Sequence, residues 1–191
     1  LYDVDGFKNP NTEQQDLRGL NVLSLGSSCA IELSDGTCFT APFTPTPHVW
    51  KGCDRNGTTS DPDDLAFMSE HNIQYCLLSS YGTNDYWAGA VKTCHDMGTS
   101  LPSQAQLDQL ARDLYPGTTI NTDYSNSNGN RDNDKAVSLG FITSPTSAFS
   151  LWSSEVSSKV HAYNREFFST FTSRSGYTRN NSNYQAVCLA E

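Results

Sequence analysis

The sequence lacks several features that mark common classes of protein. It contains no run of eighteen apolar residues, so no segment of it is predicted to span a membrane. Only 12 Lys and Arg face 21 Asp and Glu, and the resulting net charge of −9 argues against a general nucleic-acid-binding protein. Neither a signal peptide nor an initiating Met is visible, so we expect a processed or truncated chain from which a targeting or anchoring segment, including any N-terminal membrane anchor, has been removed.

Motifs typical of catalysis are also missing. The chain has no Gly-x-Ser-x-Gly and no His-Glu-x-x-His, and its four histidines at 48, 71, 95 and 161 are far apart in sequence. Cys94 adjoins His95, but the even number of cysteines favours disulfides, and a cysteine in a disulfide would not be a nucleophile. We therefore expect a protein that is not an enzyme.

The 191 residues suffice for one domain with a sizeable core, alone or with an appendage, and they include six cysteines. No Cys-x-x-C pair occurs, so a structural zinc site is not predicted. An even set favours three disulfides in an extracellular or cell-surface protein. Proximity around the Asp35-Gly36 turn predicts a Cys29–Cys38 bond, whereas counting leaves the pairing of the others open. These others are Cys53, Cys76, Cys94 and Cys188.

Turn residues and hydrophobic periodicity suggest the organisation of the chain. Residues 1–60 are rich in Pro, Gly and Asn and are interpreted as a turn-rich N-terminal appendage with strands near 29–33 and 37–41. Residues 61–191 are interpreted as the main domain. Three helices are predicted there: one after the Asp61 cap, one around Trp87 that ends at Gly98, and one after the Ser103 capping box. Strands are predicted at 73–79, 136–142, 148–152, around 161–168, and at 184–189.

A polar loop is predicted at 121–135, where almost no side chain is apolar. Asp123, Asp132 and Asp134 offer the oxygen ligands that calcium prefers. Their spacing matches no EF-hand, so a solvated loop is favoured over a calcium site and no cofactor is otherwise expected.

The segment 151–190 has the composition of a binding surface. Between Val156 and Gln185 it holds six aromatics, six Ser, four Asn and three Arg, with Glu166 as its single acid. Tyr and Phe supply contact area with few torsions to freeze, Ser and Asn supply adaptable hydrogen bonds, and Arg supplies anchoring forks. The alternative is a polar loop region of an ordinary domain, and composition alone leaves both open.

The order of motifs resembles the C-type lectin fold over about residues 65–191. WAGAVKTCHDMGTSLPSQAQLDQL is similar to the two-helix segment of that family, and LWSSE and AVCL are similar to its late Trp strand and its terminal Cys strand. The resemblance implies an α+β fold of two helices, short antiparallel strands and long irregular loops. It also implies a Cys94–Cys188 disulfide, which leaves Cys53–Cys76.

The sugar-binding members of that family hold calcium with Glu-Pro-Asn or Gln-Pro-Asp and with Trp-Asn-Asp. None of these motifs occurs, since Ser153-Ser154-Glu155 follows Trp152. The departure argues against calcium-dependent sugar binding and leaves the fold untouched.

A narrower resemblance is to the variable proteins of diversity-generating retroelements, some of which have pilin-like N-terminal parts. WSSE, a Ser/Asn/Tyr-rich stretch with AYNR and NNSNY, and AVCL carry it. In that family, copying mutates template adenines, so Asn codons scatter into residues such as Tyr, Ser, Phe, Arg and Thr. Lys159, Glu166 and Gln185 cannot arise in this way and would be invariant.

The resemblance implies two sets of positions within 151–190. The scaffold would be Trp152, Glu155, Ala162, Arg165, Ala186, Val187 and Cys188. The variable, ligand-contacting positions would be Val160, His161, Tyr163, Asn164, Phe167, Ser169, Phe171, Ser173, Ser175, Tyr177, Thr178, Asn180, Ser182 and Tyr184. Such scatter is tolerable only where side chains face solvent or ligand, because changes in a core cost about 2–5 kcal/mol each.

The sequence thus predicts an extracellular or surface-displayed protein that recognises a protein or cell-surface ligand through its C-terminal segment. Two alternatives remain open: a structural pilin or adhesin subunit with a solvated polar face, and a calcium-dependent sugar-binding lectin. Neither the ligand nor the oligomeric state is predicted.

Overall fold

Four α-helices and small antiparallel sheets make up residues 28–191, the part of the chain that the computed structural model describes. Residues 1–27 of the predicted turn-rich appendage (residues 1–60) lie outside the described residues, and its pilin-like character stays a prediction. The helices are α1 (Pro62–His71), α2 (Tyr86–Asp96), α3 (Gln104–Leu114) and α4 (Asn133–Ser138), with a 3₁₀ turn at Ser79–Tyr81. The strands are β1 (Ile31–Glu32), β2 (Cys38–Phe39), β3 (His48–Val49), β4 (Asn84–Asp85), β5 (Ser127–Asn128), β6 (Phe149–Val156), β7 (His161–Phe167), β8 (Phe171–Thr178) and β9 (Leu189–Ala190).

Local sequence signals set the starts of α1 and α3, as predicted. The Asp61 carboxylate accepts hydrogen bonds from the amides of Asp63 and Asp64 at the start of α1. Ser103 and Gln106 form the predicted reciprocal capping box of α3. These bonds satisfy amides that have no partner inside the helix, which explains why caps were readable from sequence.

The largest sheet has the strand order β5-β8-β7-β6, and its three long strands are joined by short connections. The sequence predicted β6 and β7 but not β8, whose polar run FTSRSGYT shows no clean apolar alternation. β8 is a strand because every one of its residues from Thr172 to Thr178 pairs with β7. Pairing with the preceding strand of the same hairpin, rather than the propensity of its own residues, therefore defines it.

Two further short sheets and three disulfides tie the chain's early residues to its late ones. β2 lies between β1 and β9, and β3 pairs with β4. Disulfides join Cys29 to Cys38, Cys53 to Cys76, and Cys94 to Cys188, which are the three expected pairs.

The described part of the predicted appendage, residues 28–60, also supplies core. Ile31, Leu33 and Phe39 are buried with α3 and the large sheet, and Trp50 is buried with α1 and α2. These residues therefore pack as one unit with the residues after 60.

Several local predictions were wrong. Residues 136–142 were expected to form a strand, but helix α4 occupies the first half of this stretch. Asp132, inside the region predicted as a polar loop, caps the helix, and Gly140 with φ +87° follows the end of the helix. Residues 73–79 pair with no strand of the described chain, although Cys76 and Leu77 are buried. The strand expected at 184–189 is reduced to isolated bridges and to β9. Short apolar runs thus met the core without joining a sheet.

Candidate ligand-binding surface

Strands β7 and β8 carry most of the expected contact positions, and they divide these positions between two faces. Side chains alternate across a strand, and residues directly opposite one another share a face. Tyr177 lies opposite Ala162 and Ser175 opposite Asn164, whereas Tyr163 lies opposite Gly176. The candidate positions therefore do not form one continuous surface.

The first face, which we call the front face, consists of Glu166, Ser175, Tyr177 and Tyr184. Tyr184 reaches it from the segment after β8, with its ring 5.4 Å from the Tyr177 ring. The Tyr184 hydroxyl donates a long hydrogen bond of 3.5 Å to Glu166 Oε1. Tyr177 is 46% exposed, the largest exposure of any large side chain in β7 or β8. Two partly exposed rings and a carboxylate thus adjoin one another on a strand pair.

The acid–base character of the front face follows from its partial burial. Burial raises the pKa of the Glu166 carboxyl above its ordinary value, and the hydrogen bond from Tyr184 offsets this only in part. Burial, and next the nearby Glu166 charge, raise the pKa of Tyr184. A donor supplied by a bound partner would relieve the poorly solvated carboxylate, which makes Glu166 the charged group of this face that gains most from a ligand.

The second face carries Tyr163, His161 and Thr178, which lie on the opposite side of the sheet. The Tyr163 ring is 5.6 Å from the ring of Tyr124 in the loop before β5. Burial, and next a hydrogen bond with Tyr163, raise the pKa of Tyr124 to about 12. Tyr124 is 52% exposed. It is not among the expected contact positions, because the sequence predicts a solvated polar loop at 121–135.

Two expected positions lie beyond the end of β8, at a groove of about 400 Å³. Asn180 and Ser182 are both exposed and line this groove together with Tyr81 and Tyr86. The Asn180 amide donates to the carbonyl of Tyr81 at 3.1 Å. The groove adds polar contact area at the end of the sheet. Two more of the expected positions, Ser169 and Phe171, are partly exposed around the β7–β8 turn.

Four of the expected contact positions are buried, and the structure corrects them. Val160, Phe167 and Ser173 are at most 8% exposed, and Phe167 stacks on Phe149 within the core. Asn164 is fully buried. A ligand cannot contact these side chains, because the sheet's own packing covers them.

Asn164 also has an unusual environment. Neither its amide oxygen nor its amide nitrogen has a hydrogen-bond partner, and the same holds for Nε1 of Trp152 on the paired position of β6. Buried unpaired polar atoms cost about 1–3 kcal/mol each, so this pair is a local weak point beneath the front face.

The arginines of the segment are not free anchoring forks, contrary to expectation from composition. Asp108 on α3 accepts hydrogen bonds from Arg165 Nη1 at 2.7 Å and from Arg174 Nε at 2.9 Å. Arg179 donates to Asp85 at 2.5 Å and lies over the Trp87 ring at 4.6 Å. The positive charge of the segment is thus largely neutralised inside the fold.

Both acids were missed by sequence reasoning, although one signal was present. Asp108 lies within α3 between the buried Leu107 and Leu110 and is 1% exposed, so a polar residue adjoins the apolar stripe of the helix. Asp85 precedes α2 and its carboxylate caps Ala88, a cap that an Asp before a helical run predicts. Their arginine partners are 57 and 94 residues away and could not be inferred.

The positions expected as scaffold are largely inside. Those that are buried are Trp152, Ala162, Arg165, Ala186, Val187 and Cys188. Glu155 is exposed, and its carboxylate accepts a hydrogen bond from the Gln104 amide at 3.1 Å. It therefore braces the start of α3.

The three aspartates considered for calcium serve other roles. Asp132 caps α4, Asp123 accepts hydrogen bonds from the amide and hydroxyl of Ser125, and Asp134 is exposed in the first turn of α4. They do not converge on one point. Within residues 28–191, the sole cluster of three His, Cys, Asp or Glu side chains close enough to share an ion is elsewhere, at the end of α1.

Comparison of the chain with protein-family models, curated proteins and solved structures finds no match. No helix within residues 28–191 has the length and apolar character needed to cross a lipid bilayer. Residues 28–191 form a mixed α/β fold with three disulfides, and the largest sheet carries polar and aromatic side chains on both of its faces.

Proposed function

We propose that this is an extracellular or surface-displayed binding protein whose front face recognises a protein or cell-surface ligand. The observation that carries the proposal is the adjacency of Tyr177, Tyr184 and Glu166 on a braced strand pair. Aromatic rings with few torsions provide most of the contact energy in such surfaces, and neighbouring polar groups provide orientation.

The support beneath this face favours binding by a preformed surface. Arg165 and Arg174 clamp the centres of β7 and β8 onto α3 through Asp108. The Cys94–Cys188 bond holds the chain just after Tyr184 against α2. A rigid support lowers the ordering cost that association otherwise incurs.

We further propose that the fold is of the C-type lectin type and that the protein belongs to the variable proteins of diversity-generating retroelements. The burial pattern supports this in part. Positions expected to stay fixed are mostly buried, whereas Ser175, Tyr177, Asn180, Ser182 and Tyr184 reach the surface. Variation at exposed positions leaves the core intact.

Sequencing the DNA around the gene tests the proposal. A near-repeat of the codons for 151–190, differing only at adenines and lying beside a reverse-transcriptase gene, would support it. The structure sharpens the expectation: differences should include the codons for Tyr177, Ser175 and Tyr184 and spare those for Arg165, Arg179 and Phe167. Absence of such a repeat, or differences spread equally over buried positions, would reject diversification.

Binding itself is tested with a displayed library of extracellular proteins. Any interaction found with the wild-type chain should weaken at least tenfold in Tyr177→Ala and Tyr184→Ala, since aromatic anchors carry about 2 kcal/mol or more each. Leu65→Ala changes a large side chain of similar exposure, 49%, on α1, outside the front face and the groove, and serves as the matched control. Equal loss in all three variants would place binding elsewhere.

A further inference from the structure

The end of helix α1 and the last turn of helix α2 bring together three side chains with metal-binding chemistry. Glu70, His71 and His95 each offer one ligand atom, and these atoms lie within 4.8 Å of one another. We propose that this cluster binds a divalent transition-metal ion, and that this ion is zinc. The site lies apart from the front face and is independent of the function proposed above.

The geometry places one fixed ligand between two adjustable ones. The side chain of His71 is 1% exposed, and its ring packs against Phe67 with 4.3 Å between ring centroids. Glu70 Oε2 lies 3.9 Å from His71 Nε2, and the Glu70 side chain is 61% exposed. The His95 ring is nearly perpendicular to that of His71, with 4.5 Å between centroids. The two outer ligands are exposed and free to close the remaining distance to an ion, which zinc takes at about 2.0–2.2 Å.

His71 presents its Nε2 atom to the cluster, 3.9 Å from Glu70 Oε2. An ion shared with Glu70 and His95 would bind this nitrogen. The other ring nitrogen, Nδ1, is buried and has no hydrogen-bond partner within residues 28–191.

A cavity of about 270 Å³ opens beside the cluster. His71 and His95 line it together with Trp87, Leu101 and Ser154. Three protein ligands leave a fourth tetrahedral position free, and the cavity provides room there for water or a small ligand atom. Imidazole nitrogen with carboxylate oxygen is a donor set that suits zinc and, more tightly, copper.

The test is calorimetric titration of the full chain, first stripped with chelator, with zinc chloride at pH 7.5. We expect saturable binding of one ion per chain. His95→Gln and Glu70→Gln each remove an exposed ligand and should weaken binding about tenfold or more, since loss of even an outer-shell partner commonly costs that much. Glu32→Gln, an exposed change on β1, is the matched control and should bind as the wild type does.

A second readout guards against misfolded variants. Because the ion binds the folded state, zinc should raise the melting temperature of the wild type and of Glu32→Gln but not of His95→Gln. Melting without metal should be equal in all variants with exposed changes. His71→Ala is informative only as a supplement, because its side chain is buried.

Three results would overturn the proposal: no saturable binding by the wild type, wild-type affinity in both His95→Gln and Glu70→Gln, or equal weakening in Glu32→Gln. The second and third would place zinc at another site or at no defined site.

Discussion

Asp85 and Arg179 form a buried ion pair, in which Arg179 Nη2 donates to Asp85 Oδ2 at 2.5 Å across 94 residues of sequence. Both side chains are at most 1% exposed. The same carboxylate accepts from Trp50 Nε1 and from the Ala88 amide, so it also caps α2. The pair thus fixes the exit of β8, and with it the loop carrying the exposed Asn180, to the start of a helix.

Replacing Arg179 by Met should destabilise the protein by about 3–5 kcal/mol, because Asp85 would remain buried without a counter-charge. Urea unfolding followed by Trp fluorescence measures this. Arg55→Met, a change at an exposed arginine, should stay within about 0.5 kcal/mol. A loss below about 1 kcal/mol in Arg179→Met would show that the pair is not essential.

The second buried ion cluster makes a matching prediction. Asp108→Asn leaves Arg165, which is 1% exposed, without compensation, and Arg174 loses its partner as well. Burial already lowers the pKa of Arg165, so the site poorly tolerates the lone charge. We expect a loss of about 3–5 kcal/mol by the same measurement. Asp134→Asn, in the first turn of α4, should cost less than about 1 kcal/mol, and equal losses would refute the role of Asp108.

Local signals account for what the sequence predicted correctly about the fold. Caps at Asp61 and Ser103 and the Asp35-Gly36 turn act within a few residues, so they are readable without knowledge of the rest of the chain. β8 depends on its pairing with the preceding strand β7, and both ion clusters depend on partners 57 and 94 residues away in sequence. The sequence of β8, FTSRSGYT, does not indicate which residues these partners are.

The candidate surface was predictable in composition but not in arrangement. The abundance of Ser and Asn accompanies several exposed polar side chains in this region, whereas Tyr177 is its one exposed large aromatic side chain. The two-residue alternation of a strand would have separated Tyr163 from Asn164, had the strand boundaries been known. Burial of Asn164 could not be inferred, because an apolar environment is unusual for an unpaired amide.

The Cys94–Cys188 and Cys29–Cys38 disulfides should differ in how much they stabilise the fold. Cys94 and Cys188 are 94 residues apart, whereas Cys29 and Cys38 are separated by 9. In the chain-entropy model, removing the long link costs about 4–5 kcal/mol and removing the short one about 2–3 kcal/mol. Paired Cys→Ala variants compared by chemical unfolding test this order. A larger loss from the Cys29–Cys38 removal would contradict it.

Truncating a buried aromatic side chain of the C-terminal sheet should destabilise the protein far more than truncating an exposed one. Phe167→Ala should cost about 3–5 kcal/mol, because Phe167 is fully buried and stacks at 4.6 Å on Phe149. Tyr177→Ala should change stability by about 0.5 kcal/mol or less, because its ring is half exposed. Thermal melting of both variants measures the contrast. Comparable losses would mean that the front face is part of the core and is unsuited to variation.

Acid should weaken the fold between pH 7.5 and 5.5 through His48 and His71. Burial is the main cause that lowers the pKa of each below the ordinary 6.5. As the pH falls through 6.5, the unfolded chain takes up protons on these rings while the folded chain resists, so the free energy of unfolding falls.

Melting temperatures in the presence of chelator check this without interference from metal ions. The decrease towards pH 5.5 should be smaller in His48→Gln, whose imidazole otherwise stacks on Phe67 at 3.5 Å. The negative charges of Asp85 and Asp64 act in the opposite direction and raise the pKa of His48. Burial outweighs them, so the pKa stays below its ordinary value. His161→Gln, at the start of β7, should keep the full decrease. An unchanged decrease in His48→Gln would assign the acid sensitivity to other groups.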